Sequence, residues 1–170
     1  MKAHIITIGT EILIGQINDT NSTWLAAELT KLGVLVDQII SIRDSKEVIL
    51  KTIDSSLHNA EIIIITGGLG PTNDDITKIT LAEYFNSNLV FSDEIYKDVQ
   101  NFLEQRGVKM NELNRLQATF PEKATVLHNK QGTAPGMLFK IGNKLCISLP
   151  GVSFEMKSIM NQYGFNAIKE

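Results

Sequence analysis

The chain has a single cysteine, Cys146, in 170 residues. An internal disulfide is excluded, as is any Cys-x-x-Cys motif, and its apolar neighbours mark Cys146 as an inert core thiol. Only three histidines occur. His4 falls in a strand, His58 near a helix C-terminus and His128 at the start of a loop, with no His-x-x-x-His or His/Cys spacing for a metal. The formal charge is −3, which gives no field suited to nucleic acid or an anionic membrane. No apolar run approaches the ~18 residues needed to cross a bilayer. The N-terminus runs from Met1-Lys2 directly into a strand-like segment with no signal-peptide pattern, so a cytoplasmic domain is expected. A Ser nucleophile elbow, a Walker A loop and a dinucleotide fingerprint are all missing. Phe102 and Tyr96 read as packing or a subunit contact rather than a base-stacking platform.

What remains is an ordinary globular balance, 43% hydrophobic and 21% charged, over a length that suits one domain, residues 1–170. His4–Ile8 reads as a first strand. A polar loop follows, then a helix capped within Asp19–Ser22 and closed at Gly33. Val34–Ile42 is a second strand. Asp44-Ser45-Lys46-Glu47 resembles a capping box, opening a helix to about His58. Glu61–Thr66 is a third strand, and its four successive isoleucines fit burial on both faces of a parallel sheet. A helix over about Asp74–Phe85 completes β-α-β-α-β-α, which predicts right-handed crossovers and helices on both faces. Further on, Ser92 caps a helix ending near Gly107, and residues 108–124 read as a short helix plus loop. Thr125–Leu127 is a short strand. Met137–Ile141 and Lys144–Leu149 flank Gly142-Asn143 as a hairpin, and a last helix covers about Val152–Tyr163. The expected fold class is α/β, a three-layer α/β/α arrangement with a mainly parallel sheet and a C-terminal β-hairpin.

Ligands of such sheets sit beyond the carboxyl ends of the strands. Thr66-Gly67-Gly68-Leu69-Gly70-Pro71-Thr72 leaves the third strand there, and its glycines let backbone N–H groups approach a phosphate. Asp74 and Asp75 follow. They can cap a helix, or hold a divalent cation that reconciles carboxylates with phosphates. Gly9-Thr10-Glu11 ends the first strand at the same edge, where Glu11 is either a site group or a solvated charge. Asn18-Asp19-Thr20-Asn21, Gly132-Thr133-Ala134-Pro135-Gly136 and Leu149-Pro150-Gly151 with Glu155 are further candidate loops, each weak alone.

Together these loops resemble the CinA (competence/damage-inducible protein A) family. The resemblance rests on Ile8–Gln16 with Asp19-Thr20-Asn21, and on Thr66–Thr72 with Asp74-Asp75-x-Thr77. Asn129 with Gly132–Gly136, and Leu149–Val152 with Glu155-Met156, complete it. It is to the family's N-terminal domain, similar to the molybdopterin-binding domain of molybdenum-cofactor biosynthesis proteins. Ser153 stands where the family usually has proline. No segment resembles the family's C-terminal nicotinamide-mononucleotide deamidase domain.

The resemblance implies a divalent-metal-dependent hydrolase (Mg²⁺, Mn²⁺ or Co²⁺) that splits a nucleoside diphosphate sugar, ADP-ribose favoured, to AMP and ribose 5-phosphate. Its alternative is a non-catalytic domain that binds molybdopterin or a nucleotide. On the first reading Asp75 and Asp74 hold the metal and act with Glu11 in catalysis. The ligand is then held by Gly9, Thr10, Asp19, Asn21, Thr66, Gly67, Gly68, Gly70, Pro71, Thr72 and Thr77. Gly132, Thr133, Ala134, Pro135, Gly136, Pro150 and Gly151 line its far side. The partners expected are a small nucleotide or pterin-like ligand and further copies of the chain, as a dimer or trimer. Nucleic acid and membrane are not expected.

Overall fold

The computed structural model describes all 170 residues, Met1–Glu170. The first half alternates as the sequence predicts. β1 (Lys2–Ile8) leads through a one-turn helix α1 (Thr10–Leu13) to α2 (Thr20–Lys31). Then follow β2 (Leu35–Ile42), α3 (Lys46–Asn59), β3 (Ile62–Thr66) and α4 (Thr77–Tyr84). The second half contains β4 (Leu89–Phe91), α5 (Asp93–Glu104), α6 (Glu112–Leu116), β5 (Thr119–Pro121) and β6 (Thr125–Leu127). β7 (Gly136–Ile141), β8 (Lys144–Leu149), α7 (Ser153–Ile159), a π-helical turn at Met160–Gly164 and α8 (Phe165–Lys169) end the chain.

Six strands form one sheet in the order β2-β1-β3-β8-β7-β6. β2, β1, β3 and β8 run parallel, and β7 is antiparallel to both β8 and β6. Side chains alternate across a strand, so the isoleucine run of β3 divides between two cores. Ile63 and Ile65 join Ile6, Ile49, Ile53, Leu81, Val99 and Cys146 on the face covered by α3, α4 and α5. Ile62 and Ile64 join Ile5, Leu25, Leu29, Ile147, Met156 and Ile168 on the face covered by α2, α7 and α8. A strand buried on both sides favours an apolar residue at every position, which accounts for the unbroken run. The thiol of Cys146, fully enclosed, is pushed up to about 12 by burial, as expected of an unreactive core residue.

Several local expectations are met. Asp19 accepts from the Ser22 N–H at 2.9 Å, Ser92 accepts from the Ile95 N–H at 3.3 Å, and Gly142 turns the β7–β8 hairpin with φ 58°. Others are not. Ser45 precedes α3 without a side-chain cap bond. α4 starts at Thr77 rather than Asp74, with Ile76 in the cap position and no side-chain cap. The residues 108–124, read as helix plus loop, also contain β5, which pairs antiparallel with β4. The final helix runs beyond Tyr163 through the π turn into α8.

Candidate functional site

The carboxyl ends of β1, β3 and β8 open into a cleft of about 750 Å³. Its floor is the turn after β3. The Gly67 N–H extends the sheet by donating to Leu149 O at 3.0 Å. Gly67 has φ 104°, and a Cβ there would lie 2.1 Å from the Ile8 carbonyl oxygen. Gly68 has φ 67°, and a Cβ there would lie 2.1 Å from the Thr77 hydroxyl. Only glycine lets the chain pass so close to β1 and α4 with left-handed φ. The N–H groups of Gly68, Leu69 and Gly70 donate to no protein acceptor. They remain free for a ligand, whereas Gly67, also expected to bind one, spends its N–H on the sheet.

The turn is braced from below. Thr77 N donates to Gly68 O at 3.1 Å, and the Thr77 hydroxyl is buried with no partner. Asp75 is bound into the turn as well. Its Oδ2 accepts from the Thr72 N–H at 3.0 Å and from the Thr72 hydroxyl at 2.5 Å. Asp75 therefore shapes the turn in addition to lining the cleft. Asp74 lines the cleft from an exposed position.

Three other segments wall the cleft. After β1, Glu11 folds back against Gly9, and Thr10 donates through N–H and hydroxyl to Asp44 Oδ2 at 3.2 and 3.4 Å. Before α2, Asp19 carries one oxygen, Oδ2, that is buried without a partner. After β8, the Asn21 amide donates to Gly151 O at 2.7 Å and accepts from the Ser153 hydroxyl at 2.6 Å. Ser153 thus fixes the orientation of the Asn21 amide, a bond that the proline expected there from the family resemblance has no group to make.

The cleft lining is chemically lopsided. Glu11, Asp19, Asp44, Asp74 and Asp75 all contribute, and no Lys, Arg, His or aromatic side chain does. The nearby Lys78 ammonium donates to Leu116 O at 2.9 Å instead. Burial pushes it down to about 8 against the opposing pull of Asp75. No group of three or more His, Cys, Asp or Glu side chains is placed to hold a metal ion by itself.

Of the residues expected at the site, Gly9, Thr10, Glu11, Asp19, Asn21, Thr66, Gly67, Gly68, Gly70, Asp74, Asp75, Pro150 and Gly151 line this one cleft. Pro71, Thr72, Thr77, Gly132, Thr133, Ala134, Pro135 and Gly136 do not. Thr72 and Thr77 stand behind it as supports. The Gly132–Gly136 loop is turned toward α7: Asn129 donates to Ala134 O at 2.9 Å and to Glu155 Oε2 at 2.6 Å, and Gly132 packs on the Glu155 carboxylate. Burial raises the pKa of Glu155, and the Asn129 bond partly offsets this. Asp44 and Ser153 line the cleft without having been anticipated. Asp44 follows the end of a parallel strand, so the strand-end rule that singled out Glu11 applies to it equally.

This is a three-layer α/β/α domain with a polar cleft at the strand ends. Residues 4–170 match the family described as "Probable molybdopterin binding domain", and the chain belongs to that family. It is 50% identical over 98% of its length to a CinA-like protein of Cytophaga hutchinsonii, of which it covers 40%. The chain thus spans about two fifths of the length of that relative. Among solved structures, CinA of Thermoplasma acidophilum is 28% identical with a TM-score of 0.88, covering 97% of this chain and 96% of that one. A molybdopterin biosynthesis protein from Mycobacterium abscessus shares the fold at 15% identity and a TM-score of 0.65, over 99% of this chain and 92% of its own.

These findings correct the expected activity. The relatives are CinA-like and competence-damage inducible proteins, not ADP-ribose pyrophosphatases, and nothing in them supports that hydrolase activity. No helix is long and apolar enough to cross a membrane.

Proposed function

We propose that this domain is a binding module for a phosphorylated small molecule of pterin or nucleotide type, which it holds in the cleft without turning it over. The observation that carries the reading is the juxtaposition of free N–H groups at Gly68, Leu69 and Gly70 with five carboxylates and no cationic side chain. Backbone N–H groups at a strand end suit phosphate oxygens. Carboxylates around them repel a bare phosphate, so the ligand enters with a divalent cation, Mg²⁺, Mn²⁺ or Co²⁺. The chain's own donors fit that mode. Asp74 is exposed in the cleft and Asp19 Oδ2 is unpartnered, and Mg²⁺ sites commonly use one or two carboxylates plus ligand phosphates. The bound cation would neutralise the phosphate charge. The family description supports a pterin-type ligand.

Thermal unfolding with AMP, ADP or a phosphorylated pterin, with and without Mg²⁺, tests this. A ligand at 100 times its Kd adds about 2.7 kcal/mol, a rise in Tm of roughly 5–11 °C for a domain of this size. The rise should need Mg²⁺ and shrink in Asp74→Asn. A rise without any divalent cation would contradict the role given to the carboxylates.

The domain is also proposed to self-associate as a dimer or trimer. Edge strand β2 exposes Leu35 and Ile39, and unpaired apolar edges favour pairing with another chain. Sedimentation that returns only a monomer at high micromolar concentration contradicts this.

A further inference from the structure

We propose a second ligand site, separate from the cleft, for a planar fused heterocycle with an amide-like hydrogen-bonding edge. It is a cavity of about 450 Å³ between α5, the loop after β6 and the π turn, a volume in the range of small-molecule sites. It does not depend on the function assigned to the cleft.

The sequence of α5 separates two stripes. Ile95, Val99 and Leu103 recur at helical spacing and are buried in the core. Asp98, Asn101, Phe102 and Gln105 recur on the neighbouring stripe and line the cavity. Opposite them stand His128, Lys130 and Tyr163. The walls are held in place. His128 Nδ1 lies 2.6 Å from Asp98 Oδ2 and Nε2 lies 3.2 Å from Glu94 Oε1, so the imidazole is gripped on both sides by α5. Its ring centroid is 6.3 Å from that of Tyr163. Arg106 caps the Phe102 ring at 3.7 Å. Tyr163 is presented by the π turn at Met160–Gly164, an irregularity found often at functional sites.

The chemistry selects the ligand. Phe102, His128 and Tyr163 place three aromatic rings on the walls, a lining the large cleft lacks altogether. The side-chain amides of Asn101 and Gln105 both donate and accept, matching an N–H/C=O ring edge. The Asp98 carboxylate holds the His128 imidazole through Oδ2 at 2.6 Å and so orients one ring of the wall. Lys130 adds one positive charge for an acidic substituent. Phe102, expected from sequence to be packing or a subunit contact, is on this reading part of a stacking wall.

The test is a ¹H–¹⁵N NMR titration of the full chain with guanosine and with pterin, both of which carry the required edge, and with ribose as control. Saturable shifts at the amides of Asn101, Gln105 and Lys130, from the heterocycles and not from ribose, are expected. Asn101→Ala with Gln105→Ala, both on the exposed side of α5, should bind about tenfold more weakly, and Tyr163→Ala should lose about tenfold through lost stacking. The amide spectrum of each variant reports whether it folds. Shifts confined to Gly67–Gly70, equal shifts with ribose, no saturable shift, or undiminished binding in the folded double variant would each overturn the proposal.

Discussion

The tightest backbone approach in the cleft is at Gly67, and replacing it with alanine gives a quantitative test of the architecture. Gly33 supplies the control. It has φ 75° with nothing within 4 Å of an added Cβ. Gly33→Ala therefore suffers only the left-handed penalty, about 1–2 kcal/mol, less about 0.4–1 kcal/mol from the stiffer unfolded chain. The net cost is about 1 kcal/mol, a fall in Tm of roughly 2–4 °C. Gly67→Ala carries the same penalty and also sets its Cβ 2.1 Å from the Ile8 carbonyl oxygen. That oxygen belongs to a central strand and has no rotamer to escape into. Overpacking costs about 1–3 kcal/mol, and displacing the turn threatens the Gly67–Leu149 bond, worth about 1 kcal/mol. The total is about 3–5 kcal/mol, or roughly 6–20 °C in Tm. Thermal unfolding followed by far-UV circular dichroism reads both variants. A Gly67→Ala protein no less stable than Gly33→Ala would refute the close passage of the turn past β1.

Asn21→Ala removes the bridge between α2 and the β8–α7 turn and should cost about 1–3 kcal/mol in denaturant titrations, because Gly151 O and the Ser153 hydroxyl lose their partner. Ser153→Ala should cost less, about 0.5–1.5 kcal/mol, and a larger loss for Ser153 than for Asn21 would reverse the roles given to them. Lys78 falls from an ordinary 10.5 to about 8 on folding. The unfolded chain then binds more protons between these values, so this residue makes stability rise with pH across that window. The difference in stability between wild type and Lys78→Met should change between pH 8 and 10.5 and be flat below it; a flat difference throughout would contradict the burial of this ammonium. Glu155 shifts in the opposite sense for an acid, upward on folding, so its ionisation opposes stability as pH rises. Glu155→Gln should be more stable than wild type at pH 7, and the two should converge in acid as the carboxyl protonates. Equal stability at neutral pH would count against the burial argument.

How far the fold is legible from sequence depends on the length of each signal. The isoleucine run of β3 and the capped helix α2 carry unambiguous patterns, and the parallel half of the sheet follows from their alternation. β4 and β5 pair only with each other, across segments distant in sequence, and β5 ends in Pro121, a residue that reads against a strand. Two adjacent aspartates before an apolar stretch look like a helix start, yet α4 begins at Thr77. Asp75 instead turns back to Thr72, a local side-chain bond that competes with helix formation. In the cleft, the glycine turn and the strand-end residues could be placed by the edge rule alone. The Gly132–Gly136 loop could not. It precedes an antiparallel strand, and its direction is set by the Asn129–Glu155 bond, a contact between residues 26 positions apart. Strand-end logic gives no information about such a pairing.

In the function proposed here, the cleft binds a phosphorylated ligand through backbone N–H groups and a cation, and releases it unchanged. The most direct measurement is a calorimetric titration with ADP and with a phosphorylated pterin, with Mg²⁺ and then with excess chelator, followed by chromatography of the recovered ligand. Saturable binding of at least one of them with Mg²⁺, none with chelator, and intact ligand on recovery are expected. Binding undiminished by chelator, or recovery of cleaved ligand, would contradict it.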